Sequence, residues 1–90
     1  MKNTYEDFST AQVTVGITAT LIAASKSGID KVTIENLGTT PVYIGKSNVS
    51  ATNGFLLPGT IGASITLSAT TDIYGIVATG TQAVAVLETF

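Results

Sequence analysis

The sequence predicts an all-β domain: a small antiparallel β-sandwich or barrel, jelly-roll-like, of seven or eight short strands. Three observations predict it. Apolar residues recur with a period of two, as in Val13, Val15, Ile17, Ala19 and Leu21, and that period marks strands with one face buried. The apolar runs are short and return every ~8–12 residues, the rhythm of an antiparallel sandwich. Gly, Pro, Asn and Asp punctuate the intervals between them, as turns require.

The alternation from Val13 to Leu21 reads as one strand, its other face Thr14, Gly16, Thr18 and Thr20. The polar segment from Ser25 to Asp30 is a turn. In "KVTIEN", Val32 and Ile34 share a face opposite Lys31, Thr33 and Glu35. "LGTTP" ends that strand, and "VYIG" is the next. "SATNGF" carries Asn53-Gly54, a dipeptide suited to a type I′ hairpin because both positions tolerate positive φ. "FLL" then runs into Pro58-Gly59. "ASITLS" alternates with Ile65 and Leu67 inward. "DIYGIVA" and "QAVAVLETF" are apolar on both faces, the pattern of strands central in a sheet. Gly80 lies in the turn between them.

The first twelve residues differ from the rest. Asn3 with Glu6 makes a weak capping box, and Tyr5 and Phe8 are spaced to share a helical face. Two readings stand: a frayed terminus, or an arm that docks its two aromatics on a partner. The division expected is an N-terminal arm over 1–12 and a sandwich domain over 13–90.

Composition narrows the function. The 90 residues contain no cysteine, histidine, arginine or tryptophan, and only 11% are charged, against ~25% in ordinary soluble domains. So short a chain buries a thin core, with no disulfide to support it. A surface this poor in charge is weakly protected against association, and part of it is expected to be covered in the working state. A net charge of −2 gives no footprint for nucleic acid. "MKNTYEDFSTAQ" has no apolar h-region, and no run approaches the ~20 apolar residues of a membrane helix. Synthesis in a cytoplasm is expected, with no membrane partner.

Catalytic chemistry finds few candidates. Without histidine no Ser-His or Cys-His pair forms. Ser47 follows Lys46 directly, and neighbours on a strand point to opposite faces. The acids Glu6, Asp7, Asp30, Glu35, Asp72 and Glu88 fall mostly at turns and polar strand positions, with no apolar pocket implied around any two. Asp30 and Asp72 stand singly in separate turns, whereas calcium needs clustered oxygen ligands. "GTIGAS" lacks the lysine and helix of a phosphate loop. The expectation is no enzyme, no metal and no cofactor. Tyr43 and Tyr74 are the residue type that stacks on sugars, but each lies in an apolar strand. Both are therefore expected in or at the edge of the core.

The motifs "ATLI", "VTIENLGTTPVYIG" (Val32–Gly45), "TNGFL" (Thr52–Leu56) and "YGIVATGTQAVAVLE" (Tyr74–Glu88) resemble small β-sandwich structural proteins of tailed-bacteriophage virions. The likeness runs from about Ala19 to Glu88, with Val32–Gly45 as a hairpin in its pattern. The segment "ASKSGIDK" departs from it. Head decoration (cement) proteins are the most similar type. The resemblance implies a non-enzymatic protein on the outer capsid surface, bound to the major capsid protein and to itself as a homotrimer. On that reading Tyr5 and Phe8 reach the capsid or a neighbouring subunit, and Ala83, Ala85 and Leu87 form the subunit interface. The alternatives are a tail- or head-fibre module for a host-surface glycan, and a self-assembling surface protein outside phage biology.

Overall fold

The computed structural model describes residues 7–25, 28, 31–68 and 71–90. Its strands are β1 (Phe8–Val15), β2 (Thr20–Ala23), β3 (Lys31–Asn36), β4 (Val42–Gly45), β5 (Phe55–Leu57), β6 (Ser64–Leu67), β7 (Ile73–Ile76) and β8 (Gln82–Thr89). They form two four-stranded antiparallel sheets, β1-β8-β3-β6 and β2-β7-β4-β5. Each of the pairs β1–β8, β2–β7, β3–β6 and β4–β5 is antiparallel. That nesting of first strand with last, inward to the middle, is the wrapping of a jelly roll. The two strands that are apolar on both faces are each central, β8 between β1 and β3 and β7 between β2 and β4.

Val15, Ile34, Val42, Leu57, Val77 and Val84 are the most deeply buried apolar side chains. The core is aliphatic throughout, and the described aromatics all lie outside it. Tyr43 and Tyr74 are half-buried on the outward side of the second sheet, outside the aliphatic core in or at the edge of which they were expected. Their strands are apolar on both faces because the outward face itself is apolar.

The alternation from Val13 to Leu21 does not run as one strand. β1 stops at Val15, and the chain crosses to the other sheet through a turn at 16–19. The Thr20 hydroxyl closes this turn, accepting the Gly16 N–H at 3.3 Å and donating to the Thr18 carbonyl at 2.8 Å. Ile17, in phase with the buried residues, is 62% exposed. β2 then pairs with β7 through a bulge between Leu21 and Ala23, and the extra residue lets Ile22 and Ala23 both be buried.

The segment Val32–Gly45 is a corner and not a hairpin, since β3 and β4 belong to different sheets. Asn36 holds it. This fully buried side chain donates from Nδ2 to the carbonyls of Thr40 (2.9 Å) and Pro58 (3.0 Å) and accepts the Gly38 N–H at Oδ1 (2.9 Å). Its backbone pairs with Ala63 and Gly62. One side chain therefore ties the β3–β4 corner to the β5–β6 connection.

Asn53-Gly54 likewise makes no two-residue hairpin. Neither residue has positive φ, and the loop between β4 and β5 spans 46–54. Asn53 works through its side chain, accepting the Ser50 N–H at 2.7 Å and donating to the Asn48 carbonyl at 3.1 Å. Gly54 is required by close approach, because a Cβ there would lie 2.6 Å from Tyr43 Cβ. The buried Val49 packs against the same spot and over Gly45.

The expected boundary at residue 12 falls inside β1. Phe8 to Gln12 pair with Thr89 to Ala85 in unbroken register, so Phe8 opens a strand and not a helix. Tyr5, Asn3 and Glu6 lie outside the described residues, as does most of the Ser25–Asp30 turn.

Candidate docking face and adjacent hollow

Strand parity sorts the first sheet into two faces. Val15, Val84, Val86, Val32 and Ile34 are buried inward. Phe8, Thr10, Gln12 and Thr14 of β1 therefore point outward, with Ala83, Ala85, Leu87 and Thr89 of β8. The register aligns Thr10, Leu87, Thr33 and Thr66 in one row across four strands. The next row is Gln12, Ala85, Glu35 and Ser64. Within the first of these rows the Thr33 and Thr66 hydroxyls bond to each other at 2.9 Å.

This face gathers four of the five residues singled out from sequence. Ala83, Ala85 and Leu87 lie along one side of β8, half-buried or, for Leu87, 36% exposed. Phe8, 63% exposed, pairs with Thr89, which makes it the diagonal neighbour of Leu87 at ~7–8 Å between backbones. The β1–β8 pairing thus joins an N-terminal aromatic to a C-terminal apolar stripe. Thr, Gln and Ser surround them, with charge only at Lys31 and Glu35 among the paired outward positions. Covering such a face removes fewer charges from water than covering an ordinary charged one, and charges are the most expensive groups to bury.

The second sheet carries an outward apolar face that sequence reasoning missed. Leu21 aligns with Tyr74 and Gly45, and Ile76 with Tyr43 and Leu56. Leu21 and Leu56 are 43% and 49% exposed. The signal was present in "DIYGIV" and "PVYIG", whose tyrosines alternate with the buried Ile73, Val42 and Ile44 and so must face away from them.

At one end of this face lies a shallow hollow of about 430 Å³, lined by Ser25, Lys46, Ser47, Thr71, Asp72 and Tyr74. Asp72 is anchored there, its Oδ1 accepting the Ser25 N–H at 2.7 Å. A second, apolar cleft of about 480 Å³ opens between the sheets beside Ile44, Phe55, Ile65, Leu67 and Ile73. It is the margin of the core where the edge strands β5 and β6 leave the sandwich uncovered. Among the described residues no group of three or more acids gathers to hold a metal ion.

No family model, curated protein or solved structure matches the chain.

Proposed function

We propose that this protein is a non-enzymatic virion component that binds the outer surface of a bacteriophage capsid and stabilises it, as a homotrimer. The observation that carries the reading is the joining of Phe8, Leu87, Ala85 and Ala83 on one outward, nearly uncharged face. A solvated sheet face normally alternates apolar-in with polar-out, and what sets this one apart is its low charge and the apolar Phe8, Ala83, Ala85 and Leu87 among the hydroxyls. Here the paired outward positions are Thr, Ala, Ser, Gln, Leu and Phe, with Lys31 and Glu35 as the two charges. The sequence motifs supply the kind of partner, since they resemble virion proteins. The jelly roll agrees at the level of analogy alone, for it recurs in viral capsid and lectin domains.

The size of the face explains why assembly would be cooperative. Four strands ~4.8 Å apart and at most eight residues rising ~3.4 Å each give an upper bound of about 500 Å² per subunit. A standard interface uses ~800 Å² per partner. One such contact is weak, and several copies linked by symmetry bind through effective concentration. A repeating capsid lattice supplies that symmetry.

The test is cosedimentation with purified capsids of the tailed phage that encodes the chain, followed by heating. The proposal expects saturable binding and shells that rupture at higher temperature than bare ones. Capsids that neither retain the protein nor gain heat resistance overturn it.

A further inference from the structure

The outward face of the second sheet is not used by the docking reading, and its hollow has a chemistry of its own. We propose that this hollow is a carbohydrate subsite for a neutral hexose within a glycan, with Tyr74 as its stacking platform. The inference does not require the first sheet to be an interface.

Tyr74 is fixed by its place in the fold. It sits in the central strand β7, paired with Leu21 on one side and Gly45 on the other, so the ring has a rigid base. Around it stand an ammonium, a carboxylate and three hydroxyls, from Lys46, Asp72, Ser25, Ser47 and Thr71. Ser25 holds one oxygen of Asp72 through its N–H, while the other makes no hydrogen bond among the described residues. Lys46 and Asp72 line the same hollow without forming a salt bridge of 4.0 Å or less. Two opposite charges thus line one hollow without pairing directly.

That combination selects a class of ligand. Among the described residues, an anion such as a phosphate meets one lysine but also the Asp72 carboxylate, and the two charges cancel at longer range. An apolar molecule would strip water from both charges without replacing it. A sugar ring satisfies every group. Its hydroxyls donate to Asp72 and accept from Lys46, giving charge-assisted bonds of the stronger kind. Its C–H face covers the tyrosine ring, an apolar body with a polar tip. The volume lies within the ~300–1,000 Å³ of small-molecule sites, and the open shape admits one residue of a longer chain. Tyr43 lies diagonally across on β4, on the same face, and offers a second ring to the adjoining sugar.

The experiment is a binding titration of the whole chain with neutral hexose oligosaccharides, followed by amide chemical shifts. An anionic oligosaccharide and inorganic phosphate serve as separate arms. The proposal expects saturable shifts at residues lining the hollow, produced by one or more neutral glycans and not by phosphate. Tyr74→Ala should weaken that binding about tenfold or more, and Tyr74→Phe should keep it, because stacking needs the ring and not the hydroxyl. Asp72→Asn and Lys46→Met, both at exposed positions, should each weaken it without altering the fold, which the unperturbed amide spectrum reports. Binding of phosphate or the anionic glycan in place of neutral sugars overturns the proposal. So does the absence of any shift at millimolar sugar, or neutral-sugar binding indifferent to Tyr74→Ala and Asp72→Asn.

Discussion

Replacing Asn36 by leucine should remove a large fraction of the protein's stability, although leucine is similar in size and prefers a buried site. The three side-chain hydrogen bonds lie between 2.9 and 3.0 Å, and each contributes ~1 kcal/mol net. Gly38 and Thr40 are half-buried, so their freed polar groups regain water only in part, adding ~1 kcal/mol or more. The expected loss is about 3–4 kcal/mol, where a chain of this length has roughly 5–13 kcal/mol in all. At ~4–8 °C per kcal/mol for a domain this small, the midpoint of melting falls by about 12–30 °C. Urea unfolding followed by far-ultraviolet circular dichroism measures it, with an unchanged slope indicating that two-state unfolding persists. Asn36→Asp is the sharper control. It keeps the acceptor for Gly38 but sets a carboxylate against the Thr40 and Pro58 carbonyls, so at neutral pH it should cost at least as much. A loss below about 1 kcal/mol for Asn36→Leu would refute the reasoning, because the corner would then hold without its side-chain bonds.

Three further outcomes follow from the same structure. Ile17→Ser should change stability by no more than ~0.5 kcal/mol in denaturant titration, since Ile17 is 62% exposed in the crossover turn. If Ile17 were a core strand residue, the same change would cost several times more. Gly54→Ala should destabilise by ~1–3 kcal/mol through overpacking, because the new methyl would meet Tyr43 Cβ at 2.6 Å and Val49 Cγ2 at 2.9 Å; a neutral result in a thermal melt would show that the 46–54 loop yields. Phe8→Ser leaves the β1 backbone pairing with Thr89 intact and should weaken capsid attachment in the cosedimentation assay, with no change in melting temperature beyond ~2–4 °C.

Much of the architecture was readable from periodicity, and the exceptions have identifiable causes. Val32 and Ile34 in β3, Ile65 and Leu67 in β6, and the two-faced apolar strands β7 and β8 lie where alternation puts them. The crossover at 16–19 was hidden because Ile17 and Ala19 continue the phase of Val13 and Val15 by composition alone. Hydrogen bonds from Thr20 break the strand, and those depend on backbone geometry that a hydropathy pattern does not record. The corner after Asn36 resembled a hairpin because both have Gly and Pro between strands. What separates them is which sheet the next strand joins, a long-range choice made by β7 and β8. Asn53-Gly54 has a hairpin's dipeptide, yet Gly54 serves close packing against Tyr43 and not positive φ.

The candidate site was legible in part for a similar reason. Ala83, Ala85 and Leu87 share a face in any β-strand, so their alignment could be read directly. That Phe8 joins them required knowing that the first strand pairs with the last, a contact between residues 81 positions apart in the register Phe8↔Thr89. The hollow beside Tyr74 was invisible for the same cause: Ser25, Lys46 and Asp72 come from three separate loops, brought together only by the wrapping of β2, β4 and β7.

The measurement that bears most directly on the docking account is mass in solution, by light scattering behind a sizing column, for the native chain and for Leu87→Asp side by side. Three chains of 9.2 kDa make ~28 kDa, the closed threefold state expected. The account predicts that mass for the native chain and a folded 9.2 kDa monomer for Leu87→Asp, since Leu87 is outward and its loss spares the core. A native chain that stays monomeric at every concentration, or a Leu87→Asp variant that remains trimeric, would contradict it.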